Sequence, residues 1–220
     1  MSTRLENPEA EPDNRVTETN SPAVADPAPL GLAGFALTTV LLSALNAGFI
    51  KTGPLVFVGM ALFYGGLGQF MAGMWEFRNR NTFGATAFSS YGAFWMGLGI
   101  LFLSETLGKV APNVLFGGDG AVWFLGAWAV FTTYMFVASL RVSGAVAVVF
   151  ALLSLTFWVL CVGAHNGDAA GKGITQLGGY LGLLTALAAF YASFAGVANS
   201  TFGRVILPVV PLNRPLIDNS

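Results

Sequence analysis

The chain has 220 residues, of which 55% are hydrophobic and only 10% charged, with a net charge of −1, a single histidine and a single cysteine. An ordinary soluble domain carries roughly 25% charged residues, so a water-soluble globular domain is excluded, and one cysteine excludes a disulfide framework. Neither a cofactor nor a nucleic-acid partner is expected, and the composition is that of a chain built for a lipid bilayer.

In chain order, residues 1–28 come first and differ from the rest. They hold Glu6, Glu9, Glu11, Asp13, Glu18 and Asp26 among Pro8, Pro12, Pro22 and Pro27, with few large apolar residues. Such a segment cannot offset its ordering entropy, which predicts a disordered acidic cytoplasmic tail. It lacks the apolar core of a signal peptide. Beyond it lie six long uncharged runs, at 27–50, 52–75, 81–104, 120–140, 142–167 and 173–203. A helix needs about 20 apolar residues to cross ~30 Å of hydrocarbon, and a charge at mid-span costs roughly 2.5–3.5 kcal/mol. The runs predict helices near 30–50, 54–77, 82–105, 120–140, 143–164 and 174–199, an all-α membrane domain over 29–203 and a short cytoplasmic tail over 204–220. Transmembrane strands would alternate polar and apolar residues, and these runs do not.

Six spans put both tails on one side, with Arg4, Arg15, Arg78, Arg80, Arg141, Arg204 and Arg214, against Lys51, Lys109 and Lys172 on the other. The positive-inside rule therefore predicts cytoplasmic termini in a multi-pass protein of the cell membrane.

Chemistry has little to work with. His165 and Cys161 lie four residues apart, and no metalloprotease, hydrolase or paired-cysteine motif accompanies them. They read as an interfacial histidine and a packed or lipid-facing thiol, and Gly117-Gly118-Asp119-Gly120 reads as a tight turn. No metal site and no enzyme activity are expected. The polar residues inside the spans are more informative. Phe35, Thr38, Thr39, Leu42 and Asn46 share one face of the first helix. Gln69 lies deep in the second, and Thr82, Thr86 and Ser89 share a face of the third with Tyr91 nearly opposite. A stripe with amides and hydroxyls but no mid-span charge suits a small solute; intramembrane amides also bond across to neighbouring helices. Glycines and alanines recur through the spans, which lets helices pack closely.

Asp26-Pro27-Ala28-Pro29-Leu30-Gly31-Leu32 resembles the NPAPLGL signature of the acetate uptake transporter family, also called the succinate–acetate permease family. Tyr64-Gly65-Gly66-Leu67-Gly68-Gln69, Asn81-Thr82-Phe83-Gly84-Ala85-Thr86-Ala87-Phe88, Ser90-Tyr91-Gly92-Ala93-Phe94-Trp95 and Phe202-Gly203-Arg204-Val205-Ile206-Leu207-Pro208 resemble the same family in order. The resemblance implies a six-helix protomer with its own pore, usually in a homo-hexamer, carrying acetate, other short monocarboxylates and sometimes succinate. It implies a constriction of Phe35, Tyr91 and Leu155, with Ala189 at a position tied to substrate size. Asn46, Gln69 and Glu76 match the family's residue types, and Thr38, on the Asn46 face, is counted with them as pore-lining. Glu76, ending the second helix beside Arg78 and Arg80, is a candidate for proton exchange, or an anchor for those arginines. The leading Asp26 replaces the family's Asn; either caps a helix, but an ionised Asp only accepts hydrogen bonds. An apolar gate disfavours a bare anion, so passage of the protonated acid, or of acetate with a proton, is expected. An ammonia-permeable pore and a non-transporting receptor or scaffold are the other readings.

Overall fold

The computed structural model describes residues 24–51, 55–109 and 118–212. Most of the expected acidic tail, the end of the expected C-terminal tail and Gly117 lie outside those residues. Six helices make up the described chain. α1 is Ala28–Asn46 and α3 is Thr82–Thr106. α2 runs in three pieces, Leu55–Gly59, Met60–Gly68 and Gln69–Arg78. α4 is Asp119–Ser139, α5 is Gly144–His165 and α6 is Gly173–Phe202. All six are long and apolar enough to cross a membrane. Even α1, with 19 residues, reaches ~28 Å at ~1.5 Å per residue. The chain is a multi-pass membrane protein, as its charge spacing predicts.

Local chemistry sets where the helices begin and end. Ahead of α1, the Ala28 N–H donates to Asp26 Oδ1 at 2.9 Å, and proline occupies the first turn, where its missing N–H costs nothing. Asn81 caps α3 by accepting from the Gly84 N–H at 3.1 Å. Ser143 caps α5 through the Val146 N–H at 3.3 Å, and Asp168 accepts from the Ile174 N–H at 2.8 Å at the start of α6. α1 stops four residues short of the predicted Ile50. The Gly171 N–H donates to the Asn46 carbonyl at 2.8 Å, and Gly48 turns the chain away with φ +82 against Gly171. α6 runs past the predicted residue 199 and ends at Gly203 in the left-handed conformation, a common helix stop.

Within α2, Met60–Gly68 is π-helical rather than the expected plain α-helix. Its wider turn lies against α1, where the Thr38 hydroxyl donates to the Met60 carbonyl at 3.5 Å and Gly34 sits under the Tyr64 carbonyl. Each extra residue per turn rotates the remainder of the helix by ~100°. The segment beyond it buries Gln69, Ala72, Gly73 and Glu76.

The helices form a ring in the order α4, α5, α6, α1, α2, α3. Neighbours touch through small residues: Gly182 on Ser43, Gly163 on Thr175, Gly73 on Ser89 and Gly92 on Phe70. With lipid on the outside there is no hydrophobic drive between helices, so this close backbone approach supplies the packing. α3 and α4 close the ring through side chains, with Phe94 stacked on Phe124 at 5.7 Å and Tyr91 set edge-on to Phe131 at 5.5 Å. The outer surface is apolar, including Phe63, Trp123, Leu187 and Val205. After α6, Val209 and Val210 accept from the Ala145 and Gly144 N–H groups at 3.1 and 2.8 Å, satisfying donors that the start of a helix leaves open.

Candidate transport pathway

Among the described residues, two cavities lie inside the ring. The larger, about 60 Å³, is walled by the C-terminal half of α1 (Thr39, Asn46), the later half of α3 (Trp95, Phe102), α5 (Phe157) and the start of α6 (Thr175). The smaller, about 20 Å³, lies towards the other membrane face among Leu32, Gln69, Phe88 and Val149. Three residues border both: Phe35, Tyr91 and Leu153. They form the partition between the cavities. Phe35 and Tyr91 meet edge to face at 6.0 Å, and all three are at least 95% buried.

Tyr91 is hydrogen-bonded at its hydroxyl. Its hydroxyl lies 2.8 Å from Thr132 Oγ1, and the Thr132 hydroxyl donates its own proton to the Trp128 carbonyl at 2.7 Å. Tyr91 is therefore the donor in the pair and has no O–H left for a passing solute. The partition is apolar in practice, with only the Tyr91 oxygen's remaining acceptor capacity.

Polar atoms without a protein partner lie on both sides of it. Thr39 (Oγ1), Asn46 (Oδ1) and Trp95 (Nε1) carry such atoms and are residues of the larger cavity's walls, as Gln69 (Oε1) is of the smaller's. Buried groups of this kind are uncommon, and each costs about 1–3 kcal/mol if it stays unmet. Of the six such residues among those described, four line the cavities, while Ser89 packs on Gly73 between α2 and α3 and Glu76 lies beyond Gln69.

The residues expected from sequence divide sharply. Phe35, Tyr91, Asn46 and Gln69 lie on cavity walls. Leu155, expected in the constriction, does not; it is Leu153 that stands between the two cavities. Leu155 is 49% exposed and stands on an outward stripe with Val148 and Val162, seven residues to either side. Residues 153 and 155 project ~200° apart on a helix, so only one of them can face inward. Thr38 is also corrected: it packs on Gly65 between α1 and α2, and its neighbour Thr39 faces the cavity. Ala189 is completely buried and lines neither cavity. Among residues the sequence did not single out, Leu153 and Trp95 stand out; their chemistry gave no cue in an otherwise apolar run. His165 is exposed at the end of α5, and the Cys161 thiol donates to the Val122 carbonyl at 3.5 Å. Gly118, with φ +85, leads directly into α4 at Asp119.

Glu76 lies one face-repeat beyond Gln69 and is 1% exposed. Its Oε2 accepts from Asn81 Nδ2 at 3.0 Å, so its partner is the residue that caps α3 rather than a neighbouring arginine. Its Oε1 has no protein partner and crowds Gly84 so closely that a Cβ there would lie 2.6 Å away.

Residues 8–214 match the model of the GPR1/FUN34/yaaH family. The chain is 41% identical over 187 residues to the succinate-acetate/proton symporter SatP of Escherichia coli K12, covering 84% of this chain and 95% of that protein. It is 42% identical over 195 residues to acetate permease A of Emericella nidulans, covering 84% of this chain and 65% of the permease. Ammonia transport outward protein 2 of Saccharomyces cerevisiae is 40% identical over 177 residues, covering 79% of this chain and 62% of that protein. The solved structure of the bacterial acetate channel SatP superposes with a TM-score of 0.77 at 40% identity, covering 85% of this chain and 99% of that one.

Proposed function

The chain belongs to the GPR1/FUN34/yaaH family, and from that membership we propose that it carries acetate and other short monocarboxylates, and beside them the dicarboxylate succinate, across the membrane. The observation that carries this reading is the apolar partition of Phe35, Tyr91 and Leu153 between two cavities inside a six-helix ring. The SatP relatives support the substrate class. The test is counterflow of labelled acetate in proteoliposomes containing the full chain. Exchange above empty liposomes upholds the reading; none leaves a receptor or scaffold.

An acetate anion at the partition loses its hydration and meets no free donor, and desolvation favours the neutral form of a carboxyl group. The species that passes is the protonated acid, or acetate together with a proton. Uptake at fixed total acetate should therefore rise as external pH falls from about 7 to about 5, because the neutral fraction grows nearly tenfold per unit above the acid's own pKa. A flux indifferent to pH and set by membrane potential alone marks an anion channel instead.

Glu76 is the proton-exchanging carboxylate in this scheme, at the Arg78 and Arg80 end of the pathway. Glu76→Gln keeps the size and the Asn81 hydrogen bond, so the protein should fold, while the rise in uptake at low pH should flatten. A variant with the parent's pH profile reduces Glu76 to an anchor for α3. Ammonia is the second reading, favoured by the yeast relative and by a partition free of charge. Competition by ammonium against labelled acetate separates the two. Homo-hexameric assembly and cytoplasmic termini complete the proposal. They are checked by native mass spectrometry of the solubilised protein and by protease accessibility of tags at either end in oriented vesicles.

A further inference from the structure

We propose that Trp95 and Thr39 form a docking site for the carboxyl group in the larger cavity, immediately beside the Phe35–Tyr91–Leu153 partition; this rests on the carboxylate-transport reading above. Trp95 is 3% exposed and Thr39 5% exposed, and both line the larger cavity. Trp95 Nε1 and Thr39 Oγ1 each have no hydrogen-bond partner in the protein.

Several comparable groups elsewhere in the bundle are satisfied, although the buried Ser89 hydroxyl is not. Trp158 Nε1 donates to Thr133 Oγ1 at 3.1 Å. Thr132, Thr133, Thr156 and Thr185 each donate their hydroxyl to the carbonyl one turn back, at 2.7 to 2.9 Å. Thr39 withholds that bond, although helical threonines make it readily. An indole N–H buried in an apolar wall loses its hydration unless the cavity supplies an acceptor.

Position and chemistry agree. Trp95 lies against Phe35 at 6.4 Å between ring centres, and Thr39 is one turn along α1 from Phe35, so both flank the partition. Indole is a donor only, and a threonine hydroxyl both donates and accepts. A carboxylic acid matches that pair: its carbonyl accepts from Trp95 while its O–H donates to Thr39. A carboxylate accepts from both. The site thus holds either protonation state in front of a gate that prefers the neutral one. An ammonium ion has donors only, so the indole N–H opposes it. Asn46 lies two turns further along α1, ~10 Å from Thr39, as an earlier contact on the route.

The experiment measures acetate counterflow against concentration in proteoliposomes of the full chain. Trp95→Phe keeps the ring and removes the N–H; Thr39→Val keeps the shape and removes the hydroxyl; Thr39→Ser restores it. Losing a hydrogen bond to a charged or ionisable group should raise the half-saturating acetate concentration about tenfold in Trp95→Phe and Thr39→Val, with the maximal rate nearly kept. Thr39→Ser should return to the parent value. The assignment is overturned if half-saturation stays at the parent value in both, if Thr39→Ser behaves like Thr39→Val, or if only the maximal rate falls. Should the unsubstituted protein show no counterflow, the transport reading fails, and calorimetric titration of acetate into solubilised protein decides the site alone. Binding that Trp95→Phe removes upholds it; no binding overturns it.

Discussion

Replacing Leu153 with alanine should open the pathway to larger acids, raising the lactate-to-acetate uptake ratio by about tenfold or more, since methylene-scale changes in an apolar pocket are worth ~1–3 kcal/mol of discrimination. Leu153 borders both cavities with Phe35 and Tyr91. The two aromatic partners are braced by Trp95 at 6.4 Å and Phe150 at 6.0 Å and by the Tyr91–Thr132 hydrogen bond. The leucine is thus the member of the partition whose truncation widens it without moving the others. Leu155→Ala is the control, since its side chain faces outward and is half exposed. It should leave the ratio unchanged. Both rates are normalised to protein in the membrane, because Leu→Ala at a packed site costs ~2–5 kcal/mol and lowers both fluxes together. A ratio that moves in Leu155→Ala and stays fixed in Leu153→Ala would return the constriction to the position implied by the resemblance.

Gly179→Val should be strongly damaging to stability. A Cβ at Gly179 would collide with the Ala47 amide nitrogen and lie 2.6 Å from the Asn46 carbonyl carbon. Those are backbone atoms of the C-terminal end of α1, and they cannot retreat. The Asn46 carbonyl is tied to the Gly171 N–H at 2.8 Å, and the Ala47 carbonyl accepts from Gln176 Nε2 at 3.2 Å. Relief must come by separating α6 from α1, the pair that also positions Asn46 on the cavity wall. Overpacking typically costs ~1–3 kcal/mol and more where backbone must shift. A drop of several degrees in the melting temperature of the solubilised protein is expected, with acetate transport lost alongside. Gly97→Ala is the matched control: nothing lies within 4 Å of its Cβ position, and alanine favours a helix over glycine by about 1 kcal/mol. Its melting temperature should hold or rise. Equal losses in both variants would mean that glycine matters here for helix flexibility rather than for contact.

The π-helical turn of α2 shows how local sequence and global packing divide the work. Gly65, Gly66 and Gly68 mark the segment in sequence, and glycine weakens an α-helix wherever it falls. Whether that weakness gives a kink, a break or a wider turn depends on what lies opposite. Here it is Thr38, whose side chain fills the space where a Gly65 Cβ would lie.

The number of spans, their approximate ends and the polar face of α1 were decided by sequence alone, because a charge in hydrocarbon is expensive enough to mark every boundary and an amide or hydroxyl among apolar residues is conspicuous. Phe35 and Tyr91 were named through the family resemblance rather than by such a signal, and both border the two cavities. Choosing Leu153 over Leu155, Thr39 over Thr38, or Trp95 as an unpartnered donor required the tertiary structure. A membrane helix is apolar towards lipid and towards its neighbours alike, so it lacks the one-sided pattern that reveals the inner face of a soluble helix. Two leucines two positions apart then carry the same signal, and only the packing of α5 against α4 and α6 settles which one meets the cavity.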